Sequence, residues 1–200
     1  MTKRLPRVIA TAWVSTTLLA VGAAAQATGL PAFHAPTRAF GDSETGFAVS
    51  RPGGGVTGLE LRLGFALDEA DLALRGGYVD RSGNAEGDWV AGLEGRIPVL
   101  GASSGFPLDG ALILGVGRRF ADGGGQTIVP VGLSLGRRLV LGGNALVITP
   151  YAQPTVIFEG DQLKTLGLGI DLRIRDLPEI RMSWAVGDLE GFAVSLFWSR

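Results

Sequence analysis

The sequence offers few side chains for acid–base, nucleophilic or metal chemistry. Its 200 residues include one histidine, His34, and no cysteine. The lack of cysteine excludes disulfide scaffolds, zinc ribbons, iron–sulfur clusters and thiol catalysis. Base catalysis would need His34 beside a serine or a carboxylate, but it lies in a proline-, alanine- and glycine-rich stretch where we expect no strand to hold it. We therefore predict no catalytic residue, no metal site and no bound cofactor.

Other charged side chains alternate with large apolar residues. Glu60 and Arg62, for example, lie between Leu59, Leu61 and Leu63. A period of two indicates β-strands with one apolar face and one face of small and charged residues. The predicted charged face, which would form a network inside the protein, carries Glu60, Arg62, Arg75, Glu94, Arg96, Asp171, Arg173 and Arg181. Charges in a confined interior must pair, and this set leaves about two arginines without an acid.

The elements that must position these charges are strands separated by glycine- and aspartate-rich turns. No long helical pattern interrupts them, and about ten strands follow one another, with eight as the alternative. Within 145–158, Pro150 and Pro154 each remove a hydrogen-bond donor, which disfavours a strand there. We predict the strands at about 45–51, 56–67, 71–79, 88–97, 110–120, 127–139, 145–158, 162–175, 179–186 and 191–199.

The composition of the two faces indicates which one meets lipid. A soluble barrel would place its large apolar face inside and many lysine, glutamate and asparagine residues outside. Here the second face is mostly glycine, alanine and serine, and Lys164 is the one lysine after the first 25 residues. Closure of the sheet removes edges whose backbone N–H and C=O groups would find no hydrogen-bond partner in lipid. We predict an all-β protein, a closed antiparallel up-and-down transmembrane β-barrel with the apolar rows outside.

Aromatic residues lie beside the predicted turns. Aromatic side chains are enriched in strands generally, but this placement favours belts at the two membrane interfaces. The predicted belt residues are Tyr78, Trp89, Phe120, Phe158, Trp184, Phe192 and Trp198.

The N-terminus has the three parts of a secretory signal peptide. Three cations within the first seven residues precede an uncharged, mostly apolar run over 8–22, and small residues follow. Cleavage after Ala25 or Ala27 fits equally well, and about 15 apolar residues is short for a retained anchor. We predict a signal peptide at 1–25, an extended lead-in at 26–44 and the barrel at 45–200.

These features together resemble the small outer-membrane β-barrel proteins of Gram-negative-type bacteria. The last strand alternates Phe192, Val194, Leu196 and Trp198, followed by Ser199-Arg200, and is similar to the strand that the barrel-assembly machinery recognises. The resemblance implies export, insertion into outer-membrane lipid through that machinery and both termini on the periplasmic side. A net charge of -1 gives no basic field for nucleic acid, and we expect a monomer.

The predicted function is that of a non-enzymatic outer-membrane protein, structural or weakly solute-conducting, with a charged and largely plugged lumen. The same charges could instead line a porin-like narrow path for anionic solutes. The alternative is a soluble periplasmic lipid-binding barrel, in which the apolar rows would line the interior and the other face would meet water. The resemblance also extends to lipid-modifying outer-membrane enzymes, which rely on a paired histidine, and His34 is the single histidine here.

Overall fold

A computed structural model describes residues 27–37, 43–53, 56–80, 87–103, 105–121, 124–143 and 145–199. The predicted signal peptide at 1–25 lies outside the described residues. Among the residues that are described, no helix is long and apolar enough to cross a membrane.

The described chain is built from eleven antiparallel strands. Ten of them form the wall of a closed barrel, so the ten-strand prediction is confirmed and the eight-strand alternative is wrong. The eleventh, β7, is a three-residue piece that pairs with β8 beyond the end of β6. The strands are β1 (Glu44–Pro52), β2 (Thr57–Ala66), β3 (Asp71–Asp80), β4 (Asp88–Leu100), β5 (Asp109–Ala121), β6 (Gly124–Gly136), β7 (Leu139–Leu141), β8 (Leu146–Glu159), β9 (Asp161–Ile174), β10 (Glu179–Gly187) and β11 (Gly191–Ser199).

The sheet closes by pairing its first strand with its last. β1 pairs with β11 in antiparallel register, with Phe47 opposite Leu196, and every other wall strand pairs with its neighbours in sequence. This is the pairing of the predicted 191–199 and 45–51 strands that closure of an up-and-down barrel requires. Each of the ten wall strands is therefore paired on both sides, as a hydrocarbon environment requires.

The apolar rows lie on the outside of the barrel. Leu61 in β2 is 63% exposed, whereas its neighbour Arg62 is 3% exposed and points into the lumen. Along β2, Leu59, Leu63 and Phe65 also face outward. The alternation seen in the sequence therefore separates an apolar exterior from an interior of small and charged residues, as predicted.

The proline-containing segment is a long strand. β8 includes both Pro150 and Pro154, and it pairs with β9 along its whole length. Arg137 donates its backbone N–H to the carbonyl of Pro150 at 3.2 Å, but Pro150 has no N–H to donate in return. This missing bond lies where the predicted strand 127–139 is divided into β6 and β7.

Candidate functional site: the barrel lumen

A segment that precedes the strands lies inside the barrel. Residues 27–37, which we call the lumen segment, lie among the inward-facing side chains of the wall, and Ala27, Leu30, Phe33 and Ala35 are at most 2% exposed. The expectation that His34, within the predicted lead-in at 26–44, would be held by no strand is wrong. The interior of the wall is lined by small residues, and this leaves room for a second piece of chain.

Side chains of the wall satisfy the backbone of the lumen segment, as a buried peptide requires. The donors to its carbonyl oxygens come from five different strands, β3, β4, β6, β8 and β10, so the segment is fixed from several sides. The bonds to its carbonyl oxygens are Ser183 Oγ to Pro31 at 2.6 Å, Arg75 Nη2 to Ala32 at 3.3 Å, Tyr151 Oη to Phe33 at 2.8 Å, Ser134 Oγ to His34 at 2.7 Å and Arg96 Nη1 to Ala35 at 2.8 Å.

Glycines in the wall permit this close approach. A Cβ atom on Gly117 would overlap the carbonyl oxygen of Ala27, and a Cβ on Gly167 would lie 2.5 Å from the ring of Phe33. Any larger side chain at these two positions would therefore displace the lumen segment or deform the strand. The small residues on the inner face thus leave the space that the lumen segment occupies.

One side of the lumen holds an ion-pair cluster on β2, β3 and β4. Arg75 lies 2.5 Å from Glu60 through Nη2 and 2.6 Å from Glu94 through Nη1. Arg62 lies 3.5 Å from Glu94 and makes a shorter ion pair with Glu44 of β1. All these side chains are buried in a site that excludes water. Each charge therefore needs the partner that it has here, because an unpaired buried charge is strongly destabilising.

The opposite side is organised around Arg181 of β10. Its Nη2 is 2.7 Å from Glu44, its Nε is 3.5 Å from Asp171, and it also pairs with Glu179. The guanidinium lies 3.9 Å from the centre of the Phe197 ring, a cation–π contact from the last strand. Arg62 and Arg181 both bind Glu44, which links the two clusters across β1.

Four buried acids of the interior were missing from the predicted network, namely Glu44, Asp71, Asp88 and Glu179. Glu44 and Glu179 bind Arg62 and Arg181 as described, and Asp71 lies 2.7 Å from Arg96. The expected surplus of two positive charges is therefore wrong for the interior as a whole. Glu44 and Glu179 are in phase with the inward rows of β1 and β10, so extending the alternation to the first residue of each strand would have found them.

His34 is enclosed by the two clusters. Its Nδ1 is 3.1 Å from Arg181 Nη1, so it accepts that hydrogen bond, and its Nε2 is 3.8 Å from Glu94 Oε1. The ring meets Phe197 edge-on, and the residue is 3% exposed. A histidine beside a carboxylate can move protons in principle, but here the ring is packed between wall side chains.

Arg173 is placed differently from the other seven predicted network residues, which are all buried in the lumen. It is half-buried at the end of the barrel that holds Glu44 and Ser199, which we call the terminal mouth, and lines a cleft there. The period of two predicts the face of Arg173 correctly but not its depth, because β9 extends past the ion-pair clusters before it ends at Ile174.

The predicted belt residues all lie exposed on the outer face. Tyr78, Trp89 and Phe120 are adjacent in register across β3, β4 and β5, and Trp184 is opposite Phe192 across β10 and β11. These five and Phe158 lie near the turns of the end opposite the terminal mouth. Trp198 lies at the terminal mouth, stacked on Phe47.

Similarity to known proteins is found among solved structures. No family model and no curated protein matches the sequence. Among solved structures, a de novo designed transmembrane β-barrel matches with a TM-score of 0.41 and 10% identity, covering 82% of this chain and 98% of that chain. The β domain of the Bordetella autotransporter BrkA matches with a TM-score of 0.43 and 19% identity, covering 80% of this chain and 99% of that chain. The chain is similar to transmembrane β-barrels. Both likenesses concern the fold alone.

Proposed function

We propose that this protein is a non-enzymatic integral outer-membrane β-barrel whose lumen is closed by its own chain, and that its role is structural or at most weakly solute-conducting. The observation that carries the proposal is the lumen segment, residues 27–37, which is buried inside the wall and whose carbonyl oxygens accept hydrogen bonds from five strands. A bore of ten strands is only slightly wider than one that side chains alone can fill.

The charge network supports a closed lumen. A porin-like path for anions would need positive side chains that face open water. Arg62, Arg75 and Arg181 are instead bound to carboxylates within the wall. Breaking these pairs to admit a solute would leave buried charges without partners, which costs several kcal/mol for each pair.

The outer surface supports residence in a membrane. Exposed leucine, valine and phenylalanine rows suit hydrocarbon, and aromatic residues surround one end as an interfacial belt does. We propose that a signal peptide directs export, that the assembly machinery binds β11, and that the barrel is a monomer in the outer membrane. A soluble lipid-binding barrel would need an apolar interior, whereas this interior is charged and filled.

The position of His34 supports a non-enzymatic role. A catalytic histidine must lie within hydrogen-bond reach of its substrate. Here the ring lies between Arg181 and Glu94 at 3% exposure, so a lipid or peptide substrate would have to displace the lumen segment first.

Because the chain has no cysteine, thiol labelling can test the closed lumen directly. Ala32 packs against Ala48 and Ala193 inside the barrel, and Ala102 is exposed outside the strands. In the folded full-length protein, A32C should react with a membrane-impermeant maleimide far more slowly than A102C, and both should react fully after unfolding. Equal labelling of the two variants in the folded barrel would show that the lumen is open.

A conductance measurement tests the functional consequence. The wild-type protein in planar bilayers should show no steady nanosiemens-scale channel, and deletion of 27–37 should increase the current. A gel run without boiling identifies the folded barrel by its shifted migration and serves as the folding control. Reproducible large channels in the wild type would refute a closed lumen even if the membrane location holds.

A further inference from the structure

Three arginines converge at the terminal mouth, away from the ion-pair clusters. Arg138, Arg173 and Arg175 line a cleft of about 300 Å³ together with Val147 and Asp176. None of the eight charges predicted for the lumen, other than Arg173, belongs to this cleft. It is thus a separate feature of the barrel.

Strand register explains why these side chains meet. Val147 of β8 lies opposite Val140 of β7 on one side and opposite Arg173 of β9 on the other. Arg138 directly precedes β7, Arg173 is the second-last residue of β9, and Arg175 lies in the turn that follows β9. The three guanidinium groups therefore meet at the mouth around Val147 of β8, the strand that lies between β7 and β9.

The charge of the cleft is positive. Three arginines and Asp176 give a formal charge of +2. Among the described residues, neither Arg138 nor Arg175 has a carboxylate within ion-pair distance. Arg175 donates one hydrogen bond through Nη2 to the carbonyl of Gly143 at 3.4 Å, which orients its guanidinium.

The surroundings restrict what could bind. Arg138 and Arg173 also border a second cavity of about 400 Å³ toward the lumen segment, whose wall carries Asp68, Glu69 and Asp109. An anion would be repelled from that acidic wall and directed into the arginine cleft. A cation would be drawn the other way, so the cleft itself selects a negative ligand.

We propose that the arginine cleft binds a phosphate group. A phosphate monoester carries about −1.5 to −2 charges at neutral pH, which matches the cleft's formal charge. The planar guanidinium fork of arginine forms paired hydrogen bonds with phosphate oxygens. The phosphate could belong to a lipid headgroup in the leaflet beside the mouth or to a small soluble phosphate. Binding there does not depend on the lumen being closed.

Single charge-removing variants test the site in the full chain folded in neutral detergent. Calorimetry with inorganic phosphate and native mass spectrometry with added phosphatidic acid or phosphatidylcholine cover the two sources. R138Q and R175Q should each weaken phosphate binding about tenfold or more, because each removes charged hydrogen bonds. Binding of inorganic phosphate assigns a soluble ligand, and binding of phosphatidic acid alone assigns a lipid headgroup.

Arg137 provides the matched control. It is exposed and adjacent to Arg138 but does not line the cleft, so R137Q makes the same change in net charge outside the site. R137Q should change the affinity less than about twofold, because Arg137 makes no hydrogen bond in the cleft and salt screens its exposed charge. The proposal is overturned if neither probe binds, or if R137Q weakens binding as much as R138Q does. The unboiled gel verifies that each variant is folded.

Discussion

Replacing Leu61 by arginine tests whether the outer face meets lipid. Leu61 lies near the middle of β2 and is 63% exposed, so its side chain makes little packing contact within the protein. If this face met water, an arginine there would leave the stability of the fold unchanged or increase it. In a bilayer it would have to leave its charge in hydrocarbon or distort the membrane around it.

The expected loss of folding free energy depends on how deep in the bilayer the substituted residue lies. A cation on the lipid face at the bilayer midplane costs about 2–4 kcal/mol and near the interface about 0–1 kcal/mol. Leu67 belongs to the same outward row and is 53% exposed. Six residues at ~3.4 Å along a strand tilted by ~40° place it about 15 Å from Leu61 along the membrane normal, outside an apolar band about 25 Å tall. L61R should therefore lower the folding equilibrium constant about 30- to 800-fold, and L67R far less.

The assay is reversible folding of the full-length protein into phospholipid vesicles against urea, with the folded fraction read from the unboiled gel. L67R is the matched control because the substitution is identical and only the depth differs. The face assignment is refuted if L61R folds as stably as the wild type. It is also refuted if the two variants lose equal stability, since a depth-dependent cost is what lipid contact predicts.

Three further perturbations address the interior and the closure. G117V should push the lumen segment from the wall and increase the thiol labelling of a cysteine placed within it, whereas G101V, where an added Cβ meets nothing within 4 Å, should not. R181M should destabilise the fold by about 3–5 kcal/mol in urea titration, because it leaves buried carboxylates without their partner; a loss below about 1 kcal/mol would show that the network is not structural. Deleting 197–200 removes the Phe197 ring from the lumen, the belt residue Trp198 and part of the pairing of β11 with β1, so the folded outer-membrane fraction should fall sharply. Deleting 199–200 should be tolerated. Equal assembly of the two truncations would contradict closure through β11.

Local alternation was sufficient to predict the strands and their faces. The predicted segment 191–199 is β11, and the predicted row of leucines over 59–67 faces outward. In a closed barrel every strand is flanked on both sides, so the period of two alone assigns each side chain to the lumen or the exterior. The same reasoning applied to the first residue of each strand would have included Glu44 and Glu179 in the network.

Alternation could not predict the lumen segment, because residues 27–37 have no period and a composition typical of a linker. Their burial depends on the fit between that short stretch and glycines such as Gly117 and Gly167, which are distant in sequence. A linker and a plug of this length can have the same composition. Only the diameter and lining of the closed barrel distinguish them.

The sequence by itself determined the fold class, the strand positions and which residues face inward, because these follow from a local period. Only the tertiary structure decided which charges pair, how deep each one lies and what fills the bore. Glu44 and Arg181 are 137 residues apart and 2.7 Å from each other, because the closure of β11 on β1 brings β10 within reach of β1. A face is a property of neighbouring residues in one strand, whereas a partner across the lumen depends on the register of every strand between them.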